Sequence, residues 1–486
     1  MSERSADGTV FTQNVLARTV TINTVHDGDQ YNYIYRGSPP YRVEPYPPNP
    51  GGTRPDGLEK LPSRLLTARH RVVPFSPRPE LEALERWRDT DAPGLSVQLL
   101  YAEGGQGKTR LAAELADRSA REGWTVAQAR HRSEVASAGG GDETLAVRSP
   151  GLFMVVDYAE RWPSADLITL IRQHRDAARD RLRILLLSRS AGAWWQALDH
   201  QLGKLDVMAT DTLHLTALPD DPATRAEAYT SARDAFGDVL GLADPGAVTV
   251  PEGLGVPQYG LMLTTHMKAL VDVDAAVRGV RPPSGRGLAA LSSYLLDREH
   301  DHWRSAHDEG RGPVPTGEEV MRRAVYVATL TPPLAGAEAS AALVRTGAAE
   351  PAGAEQVVLD HARCYPPGTT GRLLESLAPD RLAEDFLALT LPGYEERHRY
   401  HATDAWAITA PAMLLRYTEG TEPPASARYS LTVLIETARR WPHVVDRHLI
   451  PLLATWPGLA PAAGGAALVR LCDLGGLPDE LLEMIV

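Results

Sequence analysis

Residues 99–111 read Leu99-Leu100-Tyr101-Ala102-Glu103-Gly104-Gly105-Gln106-Gly107-Lys108-Thr109-Arg110-Leu111. An apolar run through Val97, Leu99 and Leu100 leads into a glycine-rich loop, and a helix-like pattern follows through Leu111, Ala112, Leu115 and Ala116. That order, strand to glycine loop to helix, is the context a phosphate-binding loop requires. Gly104, Gly105 and Gly107 let backbone N–H groups turn inward on an anion, and the following helix adds the positive end of its dipole. Gln106 lies inside the loop and Arg110 in the first helical turn. In this pattern Lys108 reaches the β- and γ-phosphates of a nucleotide, and the Thr109 hydroxyl ligates Mg2+. Ala102 stands where the G-x4-G-K-[ST] pattern has its first glycine, a place an L-residue fills only at negative φ. The stretch predicts ATP or ADP, with Mg2+, as the ligand.

Farther along, Gly151-Leu152-Phe153-Met154-Val155-Val156-Asp157 is a continuous apolar run ending in an acid. Continuity rather than alternation marks a strand buried on both faces. Asp157 is placed where such an enzyme holds Mg2+ through water, and Glu160, three residues on, where an acid orients the attacking water. Arg183-Ile184-Leu185-Leu186-Leu187-Ser188-Arg189 is a second run of this kind. It carries Arg189 to the same edge, where a guanidinium can contact a γ-phosphate. The competing readings are a helix N-cap or a surface acid at a strand end for Asp157, the start of a loop for Glu160 and a surface arginine for Arg189.

Residues 125–129 add a strand, while residues 79 onward (Leu81, Leu84, Trp87 on one face) and 164–179 add amphipathic helices. Strand–helix repetition predicts an α/β phosphate-loop core built on a parallel sheet.

The core is expected over 63–219. Before it, residues 1–36 hold two period-two runs, Thr19–Val25 and Gln30–Tyr35, around His26-Asp27-Gly28-Asp29, which predicts a β-hairpin. Its polar-aromatic, nearly uncharged composition also suits a segment that assembles with copies of itself or adapts to a partner. Prolines and glycines over 37–62 predict an extended linker. Beyond 220 the pattern turns helical, with candidates at 222–240, 257–273, 286–306, 317–330, 338–347, 379–391 and 402–416. These helices fall in three stretches, 220–312, 313–400 and a tail at 401–486.

Among 486 residues, 43% are hydrophobic and 23% charged, ordinary for a soluble globular chain of several domains. A formal charge of −12 argues against a general nucleic-acid binder. The two cysteines, Cys364 and Cys472, lack metal spacing and point to a reducing, cytoplasmic setting. No apolar stretch is long enough to span a membrane. Lysine is confined to Lys60, Lys108, Lys204 and Lys268, so its presence in the loop stands out.

The succession Val73-Pro74-Phe75-Ser76-Pro77-Arg78, Gly104 to Thr109, Val155-Val156-Asp157-Tyr158-Ala159-Glu160 and Leu186-Leu187-Ser188-Arg189 resembles the STAND ATPases, NB-ARC/NACHT-type signalling switches, and is most similar to actinobacterial members. The resemblance spans roughly residues 62–400, and it implies a helical domain at 220–312, a winged-helix-like domain at 313–400 and a helical sensor or repeat-like tail at 401–486. It implies that Arg78 lies near the nucleotide, although Pro77 replaces the family's glycine. It also implies that Pro257, in Val256-Pro257-Gln258-Tyr259-Gly260, packs near adenine. The implied activity is a switch, held closed by ADP and freed by ATP to form homo-oligomers, with slow hydrolysis resetting it. The signal would pass to a separate effector after a trigger, in a family often tied to antiphage defence. The alternative is a conventional P-loop motor or AAA+-like remodelling ATPase.

Overall fold

The computed structural model describes residues 19–26, 29–36, 39–47, 60–90, 94–131, 150–177, 181–205, 207, 212–283, 287–308, 312–367, 371–394, 403–418, 420–479, 481 and 483. The chain divides into two compact units. The first comprises Met1–Gly52, Pro77–Glu103 and Lys108–Leu215; the second comprises Thr53–Ser76, Gly104–Gly107 and Thr216–Val486.

Strands β1 (Thr19–His26) and β2 (Asp29–Arg36) form an antiparallel two-stranded sheet, with Thr19 opposite Arg36 and His26 opposite Asp29. The Asp27-Gly28 turn lies outside the described residues, as does the glycine-rich stretch 137–142.

The first unit is built on a six-stranded sheet. Its strands are β3 (Tyr41–Pro45), β4 (Leu95–Tyr101), β5 (Thr125–His131), β6 (Gly151–Val156), β7 (Arg181–Ser188) and β8 (Thr212–His214), in spatial order β3-β5-β6-β7-β4-β8. All neighbours are parallel except β3 with β5. The helices before and between these strands are α2 (Pro79–Asp89), α3 (Lys108–Arg121), α4 (Ser164–Ala177) and α5 (Ala193–Gly203).

The continuous apolar runs have a direct cause. Val97, Leu99, Met154, Val156, Ile184 and Leu186 pack on one face with Leu167 and Leu170 of α4 and Leu198 of α5. Residues of the opposite parity, Leu100, Phe153, Leu185 and Leu187, are equally buried, and Phe153 meets Trp87 of α2 edge to face. Both faces are covered, so neither needs polar residues.

Strand order sets the geometry of the loop edge. β5 follows β4 in sequence but is separated from it by β6 and β7, while β8 adds on the other side of β4. The direction of winding reverses at β4, and in open parallel sheets ligand crevices form at the carboxyl ends of strands where this happens.

Two sheet elements depart from expectation. The proline-rich stretch read as a linker supplies β3, which pairs from Tyr41 opposite His131 to Pro45 opposite Ala127. Proline is tolerated there because β3 is an edge strand and Pro45 is its last residue. Tyr41 is buried, and its hydroxyl donates to Gln173 Oε1. β8 is three residues long, too short to display a period.

The second unit is helical. It contains α1 (Pro62–Leu65), α6 (Pro222–Leu240), α7 (Met262–Arg278), α8 (Leu288–His307), α9 (Glu318–Leu330), α10 (Gly336–Thr346), α11 (Ala354–Cys364), α12 (Asp380–Thr390), α13 (Ala410–Leu415), α14 (Ala427–Ala438), α15 (Ile450–Thr455), α16 (Leu459–Ala463) and α17 (Gly465–Cys472). α6 has complete stop and start signals. Asp221 accepts from Ala223 N and Thr224 N, Pro222 opens the helix, and Gly241 closes it in the left-handed region.

One hydrophobic cluster runs from Leu65, Leu66, Val72 and Val73 through α6–α17 to Leu481. The C-terminal helices belong to it. Ser430 Oγ donates to Leu330 O at 2.6 Å, and Asp385 accepts from Trp441 Nε1 at 2.8 Å and from Arg440, which also pairs with Glu384 at 2.9 Å. Among the described residues, no helix is long and apolar enough to cross a membrane.

Candidate functional site

The loop leaves β4 at Tyr101. Ala102 N donates to Ser188 O at 3.2 Å and Leu215 N to Tyr101 O at 2.9 Å, so the loop's entry is fastened to β7 and to the segment after β8. Ala102 is buried and is absent from the residues with positive φ, so alanine sits without strain at the first position of the motif. Gly105 and Gly107 take φ of 90° and 96°. A Cβ at Gly107 would meet nothing within 4 Å, so its glycine is required by backbone conformation and not by crowding. Gly105 answers to both. Within the second unit Leu263 N donates to Gly105 O at 2.9 Å, and a Cβ at Gly105 would fall 3.1 Å from Leu263 Cβ.

Lys108 opens α3, and its ammonium donates back to Ala102 O at 2.6 Å and Glu103 O at 3.1 Å. Thr109 follows, with Oγ1 donating to Asp157 Oδ2 at 3.0 Å. The other oxygen, Asp157 Oδ1, accepts from Tyr158 N at 2.9 Å. Although one edge of Asp157 reaches solvent, burial at the strand end pushes its carboxyl above the ordinary carboxylate range; Lys108, the Tyr158 N–H and the Thr109 hydroxyl pull it back.

The chain then turns sharply. Tyr158 is left-handed (φ 51°), with the Arg161 guanidinium 3.9 Å over its ring, and Ala159–Arg161 form a single 3-10 turn. This turn swings Glu160 beneath the sheet edge, where it is 9% exposed. Glu160 Oε1 accepts from the backbone N–H of Arg189 at 3.2 Å, and Oε2 is buried without a hydrogen-bond partner. Arg189 is itself buried as the chain leaves β7. Its backbone is shaped by Ser188, whose Oγ donates to Ser190 O at 2.6 Å and accepts from Ser190 N at 3.0 Å.

The structure therefore brings Lys108, Thr109 and Asp157 together, and joins Glu160 to Arg189. The remaining sequence candidates have surroundings of their own. Arg78 precedes α2 and pairs with Glu80 at 3.6 Å; Arg110 pairs with Glu114 one helical turn on, at 3.7 Å. Gln106 is buried, with Oε1 unpartnered. Pro257 is exposed in the second unit and opens a 3-10 turn, Pro257–Gly260, whereas the α-helix predicted from 257 begins at Met262. Leu261 is extended between the two (ψ 121°) and breaks the helix. Ser188, Ser190 and the left-handed Tyr158 escape sequence reasoning, since no motif marks a residue whose work is to bend the backbone.

Chemically, this edge offers an ammonium, loop N–H groups at a helix start, and two hard oxygen donors 3.0 Å apart on Thr109 and Asp157. All-oxygen donors suit Mg2+.

No family model matches the chain, and no curated protein matches it. Among solved structures, it is similar to the Aeropyrum pernix ORC2 protein in ADPNP–ADP complexes, at 18% identity and TM-score 0.31, over 66% of this chain and 96% of that one. The ADP form of the same protein aligns at 15% identity and TM-score 0.30, over 74% and 98%. At these TM-scores the likeness carries no argument about fold or function.

Proposed function

We propose that this chain is a nucleotide-dependent signalling switch of STAND type, binding ATP and ADP with Mg2+ through the loop after β4. One observation carries the nucleotide reading: a Gly-rich loop at the reversal point of a parallel sheet, with Lys108 across it and Thr109 bonded to Asp157 at 3.0 Å. In this reading the loop N–H groups and Lys108 hold the β- and γ-phosphates, and Thr109 and Asp157 hold Mg2+. Mg2+, when bound, neutralises charge between those phosphates. Arg189 supplies the guanidinium that tells ATP from ADP, and Glu160 sets its position through the backbone N–H. Any hydrolysis is slow and resets the state.

The switch reading draws support from two features of the second unit. Leu263 N holds the Gly105 carbonyl, so the start of α7 follows the conformation of the loop tip. α9, α10 and α11 are accompanied by a bridge between Leu334 and Leu374, an arrangement compatible with a winged-helix-like domain. Contacts made in only one nucleotide state bias a two-state equilibrium. The output is a nucleotide-dependent homo-oligomer that engages a separate effector.

The test is the nucleotide content of purified protein, by denaturing extraction and chromatography, with particle mass measured in ADP and in ATP. Retained ADP on a small species that grows in ATP supports the switch. Empty protein that turns over ATP steadily at fixed mass overturns it in favour of a conventional motor.

A further inference from the structure

We infer that Arg440, in the segment after α14, is a positioning residue for the phosphate loop: it holds the turn of α12 that carries Arg381, and Arg381 fixes the loop carbonyl Gly104 O. The loop tip Gly104–Gly107, α7, α12 and α14 all belong to the second unit.

The coupling starts at the loop tip. Arg381, the second residue of α12, lies along it: Nη1 donates to Gly104 O at 3.5 Å, and Cδ is 3.8 Å from where a Cβ on Gly105 would stand. A trans peptide is planar, so fixing the Gly104 carbonyl also fixes the direction of the Gly105 N–H. Leu263 N at the start of α7 does the same one peptide later, holding Gly105 O at 2.9 Å and with it the Gln106 N–H. These are two of the N–H groups that the nucleotide reading assigns to phosphate.

Arg381 is in turn held from the C-terminal side. Arg440 donates to Arg381 O at 3.3 Å, to Glu384 Oε2 at 2.9 Å and to Asp385 Oδ1 at 2.5 Å. Trp441 Nε1 donates to Asp385 at 2.8 Å, and His443 Nε2 donates to Ala388 O at 2.9 Å, one turn on. Glu384 and Asp385 are adjacent acids, 6% and 0% exposed. Without the guanidinium they share, two buried like charges repel, and the turn relieves them by moving toward water. That movement draws Arg381 away from Gly104 O. No motif announces the link, since Arg440 lies 59 residues from Arg381.

The test is amide hydrogen exchange at Gly105 and Gln106 in the full chain without nucleotide. Arg440→Gln and Arg381→Gln are each expected to speed exchange there about tenfold, the worth of one hydrogen bond to a charged group. The double variant is expected to exchange no faster than either single variant, because both act through one path. Arg440→Lys keeps a cation beside Glu384 and Asp385 but loses the guanidinium fork, and is expected to show a smaller rise in a chain that still folds. Ser430→Ala breaks the buried bond from α14 to Leu330 O and is expected to leave the loop unchanged. Unaltered exchange in the Arg440 variants, additive effects in the double variant, or an equal rise in Ser430→Ala overturns the proposal. A second arm rests on the nucleotide reading: ATP affinity is expected to fall about tenfold in Arg440→Gln and in Arg381→Gln. A parent chain that binds no ATP overturns that reading alone, and the exchange comparison still decides this one.

Discussion

Glu160 accepts the backbone N–H of Arg189 at 3.2 Å, tying the turn after β6 to the exit of β7 across 29 residues of chain. A carboxylate used in this way fixes where the arginine begins. Glu160→Gln keeps an acceptor oxygen and is expected to leave stability near that of the parent. Glu160→Ala orphans a buried N–H and is expected to cost about 1–3 kcal/mol. Urea unfolding of both variants, alongside single-turnover ATP hydrolysis, separates positioning from charge. If the two variants lose equal stability, the hydrogen bond is not what Glu160 supplies.

Lys108 donates to two carbonyls of the loop, Ala102 O at 2.6 Å and Glu103 O at 3.1 Å. Lys108→Ala is expected to weaken ATP and ADP binding by about 100-fold, the equivalent of ~2.7 kcal/mol. Its thermal midpoint without nucleotide should stay close to the parent's. Calorimetric titration checks the first statement and scanning fluorimetry the second.

Thr109→Val removes one of two oxygen donors while conserving volume, and Asp157→Asn removes the charge while keeping an oxygen to receive Thr109. Both are expected to abolish the Mg2+ dependence of ATP affinity while leaving ADP binding without metal largely intact. Titrations with and without Mg2+ decide it; an unchanged metal dependence would place Mg2+ elsewhere.

Arg183 is fully buried and donates to Arg88 O at 3.1 Å, Gly94 O at 3.0 Å and Thr90 O at 2.8 Å. Without the guanidinium, Arg88 O and Thr90 O lose a buried donor, while Gly94 O keeps the N–H of Leu182 at 3.0 Å. Arg183→Leu is expected to destabilise the first unit by roughly 3 kcal/mol. The transition of this unit in denaturant is the measurement.

His361 is wholly buried between Leu373 O and Tyr365, and burial holds its imidazole down at about 4 against an ordinary 6.5. A histidine depressed in the folded state is neutral there, while the unfolded chain takes up a proton below pH 6.5. Stability is therefore unaffected by this group above 6.5 and falls by about 1.4 kcal/mol per pH unit between 6.5 and 4. His448, held down at about 3, adds to the same slope. Urea midpoints at pH 7.5, 5.5 and 4.5 should decline in that order, and His361→Gln should flatten the decline.

β4, β6, β7 and the loop were legible because both sheet faces are buried, which writes an uninterrupted apolar run into each strand. The helix expected over 222–240 is α6, which Asp221 and Pro222 open and Gly241 closes. β3 was not, because prolines signal a linker unless the strand is known to lie at an edge. The C-terminal helices read as a separate tail, yet Arg440 and Trp441 converge on Asp385, a partner 55 and 56 residues away that no local pattern announces.

By itself the sequence determined the local chemistry of the loop. Glycines at 105 and 107 permit positive φ, and Lys108-Thr109 at a helix start confronts an anion with donors, all within a span where chain connectivity fixes neighbours. Tertiary structure decided which acid meets Thr109 and which arginine meets Glu160. Asp157 is 48 residues from Thr109, and their contact exists because β7 inserts between β4 and β6, a strand order chosen by packing two covered faces rather than by any residue of the motif.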